Sequence, residues 1–188
     1  DGDRKTGSMV TAFVNSYYQC TGVPIIGVSA SKGGSSILQW QPDKKFFADV
    51  KERLSSCRRY LRNEEISILH TCLLWCQGET DGDKGMTGRM YQHYFMQFWE
   101  ELKLQGIEHC FFILIGNYNG SEEISYQEIQ TIQRKLTETV PEIILADESF
   151  PAMKERGLMK DSFHYYQKAY NEVGTNAGRK VAHILYGK

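Results

Sequence analysis

Two stretches of this 188-residue chain gather groups able to move protons or hold developing charge. The first is Leu73-Leu74-Trp75-Cys76-Gln77-Gly78-Glu79-Thr80-Asp81, where an apolar run stops abruptly at an amide, a glycine and a carboxylate. Residues 66–76 are continuously apolar apart from Ser67, His70 and Thr71, the composition of a buried strand. A neutral donor and an acid at the carboxyl end of such a strand stand where α/β sheets bind ligands. The second is Lys160-Asp161-Ser162-Phe163-His164-Tyr165. Its spacing lets the Asp161 carboxylate hydrogen-bond the His164 imidazole, fix its tautomer and stabilise the imidazolium formed during proton transfer. Histidine is the residue whose ordinary titration suits acid and base work near neutrality. Taken singly, each stretch has a plain alternative: a polar turn around Gly78, and a helix cap at Asp161 or Ser162 beside a half-buried His164.

The elements that must position these groups follow from periodicity. Residues 6–20 carry Val10, Phe13, Val14 and Tyr17 on one helix face, and 23–28 is a short β-branched run that predicts a strand. The loop after it, Ser29-Ala30-Ser31-Lys32-Gly33-Gly34-Ser35-Ser36, is small and polar and can bring backbone N–H groups close to a ligand. Phe46, Val50, Leu54, Cys57 and Leu61 trace a second helix, 66–76 the next strand, and 87–104 a third helix with a wide apolar face. Residues 110–115 predict a strand, Ser121 a cap for the helix through Ile129, Ile132 and Leu136, 143–146 a strand, and 166 onward a closing helix. This alternation implies right-handed crossovers and an α/β fold: a three-layer α/β/α sandwich around a parallel, flavodoxin-like sheet, with its sites at the carboxyl edge. Because the chain opens on a helix, the first strand of that sheet is missing from it.

The length and the 41% hydrophobic content suit one domain with a single sizeable core. A formal net charge of −1 and the lack of a long basic run argue against nucleic acid or an anionic membrane as partner. No apolar stretch approaches the roughly 20 residues that span a bilayer. Five scattered cysteines do not form a disulfide framework, which favours a reducing compartment, the cytoplasm. Cys72 and Cys76 have no further Cys or His pair at metal-site spacing and are expected to be small core residues. Asp81-Gly82-Asp83 lacks the other ligands of a calcium loop and is expected to be a solvated turn. No metal is expected. The opening Asp1-Gly2-Asp3, without methionine, leads us to expect a preceding segment.

Joined in order, Gly33-Gly34-Ser35-Ser36 with Trp40, Trp75-Cys76-Gln77-Gly78-Glu79, and Asp161-Ser162-Phe163-His164 resemble the successive blocks of the sialate O-acetylesterase-like carbohydrate esterases, a branch of the SGNH hydrolases. The resemblance runs over nearly the whole chain. It implies hydrolysis of acetyl esters on sugars, with an acetylated sugar as substrate and neither metal nor organic cofactor. On this resemblance His164 is the general base, Asp161 orients it, and the oxyanion donors are the backbone N–H of Gly34 or Gly33 and the side-chain amide of Gln77, which replaces the superfamily's asparagine. Preorganised neutral donors of this kind are worth on the order of 3 kcal/mol each at a developing oxyanion. Glu79 is expected to buttress its loop or meet the sugar, and Trp40 to offer a face for a sugar ring.

One departure stands out. The nucleophilic serine of the family sits in a Gly-Gln-Ser-Asn block after the first strand, and the chain contains no such block. Gly7-Ser8-Met9 opens a helix and is only an echo of it. We therefore expect residues 1–188 to be a single SGNH-type esterase domain, incomplete at its N-terminus, with the serine upstream. Two alternatives compete. Gly27-Val28-Ser29-Ala30-Ser31 nearly matches a Gly-x-Ser-x-Gly elbow and would make Ser29 the nucleophile, though Ser31 crowds the turn. The other is a non-catalytic carbohydrate-binding relative.

Overall fold

The structure, a computed structural model, describes residues 7–121 and 123–187; residue 6, where the first helix is expected to open, lies outside them. Its elements in chain order are α1 (Val10–Thr21), α2 (Lys45–Asn63), β1 (Cys72–Trp75), α3 (Glu79–Asp83), α4 (Gly88–Leu104), β2 (His109–Ile113), α5 (Gln127–Thr139), β3 (Ile143–Asp147) and α6 (Gln167–Tyr186). Two 3₁₀ turns, Ile37–Trp40 and Phe150–Met153, punctuate the loops. The long helices form where a periodic apolar face meets a terminating signal. In α4, Thr87 Oγ1 accepts the Met90 N–H, and the buried Tyr91, Phe95, Phe98, Trp99 and Leu102 line one side.

Among the described residues the sheet is parallel, in the order β1-β2-β3. β2 is central. It pairs with β1 from Cys72↔His109 to Trp75↔Phe112, and with β3 from Cys110↔Ile143 onward, with a shift in register between Phe112 and Ile113. Because alternate strand residues face opposite ways, Cys110 and Phe112 enter one core and Phe111 and Ile113 the other. The first core is closed by Phe47 of α2, the aromatic face of α4, and Ile129, Ile132 and Leu136 of α5. The second is closed by Tyr17 of α1 and by Ala169, Val173, Ala177 and Val181 of α6. Helices thus cover both faces, the three-layer arrangement expected.

The α1–α6 contact is unusually close. A Cβ on Gly174 would lie 2.3 Å from the Met9 carbonyl oxygen, and one on Gly178 would lie 2.4 Å from that of Phe13 and 2.1 Å from Ser16 Oγ. Ser16 Oγ donates to the Thr175 carbonyl at 3.0 Å across the same contact. Two backbones this near leave no room for side chains.

Three expectations are corrected. Residues 23–28 belong to no ladder, and Ile26 and Val28 are exposed while Val23 and Ile25 pack partly buried on the second core. A β-branched composition favours an extended backbone, but a strand also needs a partner, and Pro24 has no N–H to offer one. The strand expected over 66–76 contracts to Cys72–Trp75, because pairing runs only along β2; Ile66, Ile68 and Leu69 upstream of it are exposed. Ser121 does not cap α5. The helix opens at Gln127, whose N–H is accepted by Ser125 Oγ at 3.3 Å.

Candidate active site

The loops after β1, β2 and β3 leave the same carboxyl edge of the parallel sheet. The loop after β3 carries Asp161 and His164, and it closes on itself. The Lys160 N–H donates to the His164 carbonyl at 2.7 Å, and Met159 bridges Tyr165 antiparallel. Inside this turn Asp161 Oδ1 accepts the backbone N–H groups of Phe163 at 2.9 Å and His164 at 2.7 Å. His164 Nδ1 lies 3.0 Å from Asp161 Oδ1 and 2.9 Å from Oδ2. With Nδ1 donating to the carboxylate, Nε2 is left to accept a proton. Burial pushes the Asp161 carboxyl up, but the two backbone N–H groups and the imidazole outweigh it, and the net shift is below the ordinary aspartate value. Both side chains are partly open to solvent, at 41% for His164 and 47% for Asp161.

The loop after β2 holds this turn in place. Asn119 donates its backbone N–H to the Ser162 carbonyl at 3.1 Å, and the rings of Tyr118 and Phe163 stand 5.2 Å apart. Tyr118 in turn packs on Tyr126 at 6.1 Å, and the Tyr126 hydroxyl donates to Asp83 Oδ1 at 2.6 Å. A continuous set of contacts therefore runs from the His164 turn to α3.

At the end of β1, Gln77 is buried and every polar atom of its side chain is engaged. Its Nε2 donates to the Ser35 carbonyl at 2.8 Å and to Asp81 Oδ2 at 2.5 Å, while Oε1 accepts from the Tyr91 hydroxyl at 3.3 Å. The Gln77 carbonyl accepts from Tyr91 at 2.9 Å and from Gln133 Nε2 at 2.8 Å, both buried. Gly78 follows with φ +148°, and a Cβ there would lie 2.7 Å from Ile129 Cγ2, so only glycine makes this turn. Glu79 opens α3. Burial raises its carboxyl above the ordinary glutamate value, the backbone N–H groups of Gly78 and Glu79 lower it, and Asp83 and Asp81 raise it further. Burial also pushes the Cys76 thiol well up, with Glu79 and Asp147 adding to the effect, which keeps it protonated.

The hub of this region is Asp81, fully buried instead of sitting in a solvated turn. It accepts Ser36 Oγ at 2.5 Å, the Ile37 N–H at 3.1 Å and the Gln77 amide, so it fastens the 32–36 loop to the end of β1. Gly33 and Gly34 are exposed at the tip of that loop, next to Ser35, whose carbonyl holds Gln77. A carboxylate satisfied by donors it was not seen beside in sequence explains the error: Ser36 is 45 positions away. Trp40 is also corrected. It is 4% exposed, set against Trp75 at 5.5 Å and Phe98 at 6.2 Å, and its Nε1 donates to Ser35 Oγ. The indole fills core and offers no face to a sugar.

The structure thus joins Gln77 through Asp81 to the loop that carries Gly33 and Gly34, with Glu79 on the same short helix as Asp81, pairs Asp161 with His164, and links the two groups through Tyr118, Tyr126 and Asp83. Tyr91 and Gln133 escaped the sequence reading as supports for Gln77. A glutamine on the apolar face of α5, between Ile132 and Leu136, was the available signal. Ser29 is exposed, with its carbonyl accepting from Arg53 and neither strand before it nor helix directly after, so no nucleophile elbow forms there. Ser8 Oγ accepts the Val10 N–H at the start of α1. Among the described residues no serine hydroxyl hydrogen-bonds to the His164 ring.

No curated protein matches the chain. Among solved structures, the X-ray structure of an Arabidopsis thaliana protein matches with a TM-score of 0.67 at 19% identity, covering 89% of this chain. The match spans only 65% of the Arabidopsis chain, and at this identity it speaks for the fold. Residues 4–183 match the family described as carbohydrate esterase, sialic acid-specific acetylesterase. With almost the whole length matched, and an aspartate–histidine pair and a Gly-Gly loop presented at one sheet edge, the chain belongs to this carbohydrate esterase family.

Proposed function

We propose that the natural protein is a serine-type hydrolase that removes O-acetyl groups from carbohydrate. The observation that carries this is the preformed Asp161–His164 pair at the carboxyl edge of the sheet, in a chain of this family. A serine attacks the acetyl carbonyl while His164 Nε2 takes its proton, and Asp161 stabilises the resulting imidazolium. As the tetrahedral intermediate collapses and its bond to the sugar oxygen breaks, the imidazolium protonates that departing oxygen, which leaves as the sugar hydroxyl. Water, activated by the same nitrogen, releases acetate from the serine. The backbone N–H of Gly34 or Gly33 donates to the oxyanion. Gln77 adds a further donor by exchange: both its N–H groups are engaged, and the neutral Ser35 carbonyl is a weaker acceptor than either the oxyanion or the Asp81 carboxylate. Glu79 buttresses this loop.

The serine is supplied by a strand N-terminal to residue 1. Two observations support that reading. Among the described residues β1 pairs on one side only, and residues 23–28 belong to no ladder although Val23 and Ile25 pack on the same core that takes Cys72 and Leu74. A strand lying between them would satisfy both sets of backbone groups and end near His164. Labelling the full-length protein with a fluorophosphonate and mapping the adduct by mass spectrometry tests this. We expect the label on a serine upstream of residue 1, lost in His164→Ala. A label on Ser29 would overturn the assignment, and absence of label with retained sugar binding would make the protein a non-catalytic relative.

A further inference from the structure

With Trp40 buried, the question is what receives the sugar once its acetyl group is at His164. Phe163 is the large apolar side chain of that turn left open to solvent, at 41% exposure. Its ring centroid lies 6.4 Å from that of His164, with the planes at 72°. The ring is held without being covered. Tyr118 packs on it at 5.2 Å with the planes tilted by 55°, and the Phe163 N–H is fixed by Asp161 while the preceding carbonyl is fixed by Asn119. An exposed aromatic with so little freedom binds at low entropic cost. Beside it lies an exposed hydrogen-bonding group suited to hydroxyls, the Asn119 side chain, whose Nδ2 donates to the Asp161 carbonyl at 3.5 Å.

We propose that Phe163, backed by Tyr118, is the platform on which the pyranose ring of the substrate stacks, with its C–H face on the phenyl ring and its acetylated hydroxyl directed at His164. The inference rests on the esterase reading above and adds the subsite that selects a sugar ester over a simple ester. Its occupant follows from proximity to the base: the phenyl ring stands 6.4 Å from the imidazole, within the span of a pyranose whose acetyl group is held at His164. A ring with one apolar face and polar edges matches a phenyl face with the Asn119 amide beside it.

The test compares two acetyl esters in the full-length protein, O-acetylated N-acetylneuraminic acid and p-nitrophenyl acetate, for wild type, Phe163→Ala and Phe163→Tyr. Phe163→Ala should lower the ratio of kcat/KM for the sugar ester to that for p-nitrophenyl acetate about tenfold, mainly through KM, and Phe163→Tyr should restore the ratio. Equal losses on both esters would reduce Phe163 to a support for the His164 turn, and an unchanged ratio would leave it idle; either overturns the platform. If wild type hydrolyses neither ester, the esterase reading has failed. Titration calorimetry with N-acetylneuraminic acid, which carries no scissile O-acetyl ester, then decides the platform alone: weaker binding to Phe163→Ala supports it and equal binding overturns it.

Discussion

The acid–base pair is built so that its two members fail differently. His164→Ala removes the proton acceptor and should abolish ester hydrolysis by the intact protein. Asp161→Asn leaves a side chain of the same shape but reverses the preference for the tautomer, and by analogy with serine hydrolases should lower kcat by about 10⁴. Asp161 also carries a pH signature. Its folded-state carboxyl lies below the ordinary value, so its stabilising contribution is complete above the unfolded value near 3.9 and is lost as pH falls through the lower folded value. Denaturant midpoints measured from pH 5 downward should therefore fall less steeply in Asp161→Asn. Glu79 has the opposite sign. Its carboxyl is raised, so the folded protein holds the proton more tightly, and stability declines as pH rises from the ordinary glutamate value toward the raised one. Glu79→Gln should remove that decline, visible as a Tm that changes less between pH 4 and 7.

Between elements, the critical fastening is Asp81. Asp81→Ala would strand the Ser36 hydroxyl, the Ile37 N–H and one Gln77 N–H, at roughly 1–3 kcal/mol for each orphaned donor. Chemical denaturation should show a loss above about 3 kcal/mol on that basis. Gly78→Ala, forced against Ile129 at positive φ, should cost about 1–3 kcal/mol. How much of this was legible depends on the range over which each feature is decided. α2 and α4 were readable to within a residue or two because periodicity is local. The Asp161–His164 pair was readable for the same reason: its partners are three residues apart. Residues 23–28 read as a strand because sequence reports backbone preference and not the presence of a neighbour. Asp81-Gly82-Asp83 read as solvent-facing because its polarity is the same whether water or Ser36 supplies the donors. Trp40, beside a glycine loop, looked available, and only the arrival of Trp75 and Phe98 from distant segments buries it.

On the scale of the molecule, the sheet is deeply protected at β2, and among the described residues β1 is an edge strand. Hydrogen exchange should find the β2 amides the slowest in the protein, and if the proposed strand N-terminal to residue 1 pairs with β1, the β1 amides turned away from β2 should be protected in full-length protein and exchange fast in residues 1–188 alone. The tight seam between α1 and α6 reaches further than stability. α6 begins three residues after His164, and its first residue, Gln167, exchanges two hydrogen bonds with the backbone of Ser8 at 3.1 and 2.8 Å. The imidazole is therefore mounted on the end of a lever whose fulcrum is Gly174 and Gly178, roughly 10–17 Å along the helix at 1.5 Å per residue. A methyl group inserted at either glycine would pry the helices apart and swing the far end. A loss of turnover would then arise from a position that touches neither substrate nor base, since misplacement of about 1 Å can cost on the order of a hundredfold.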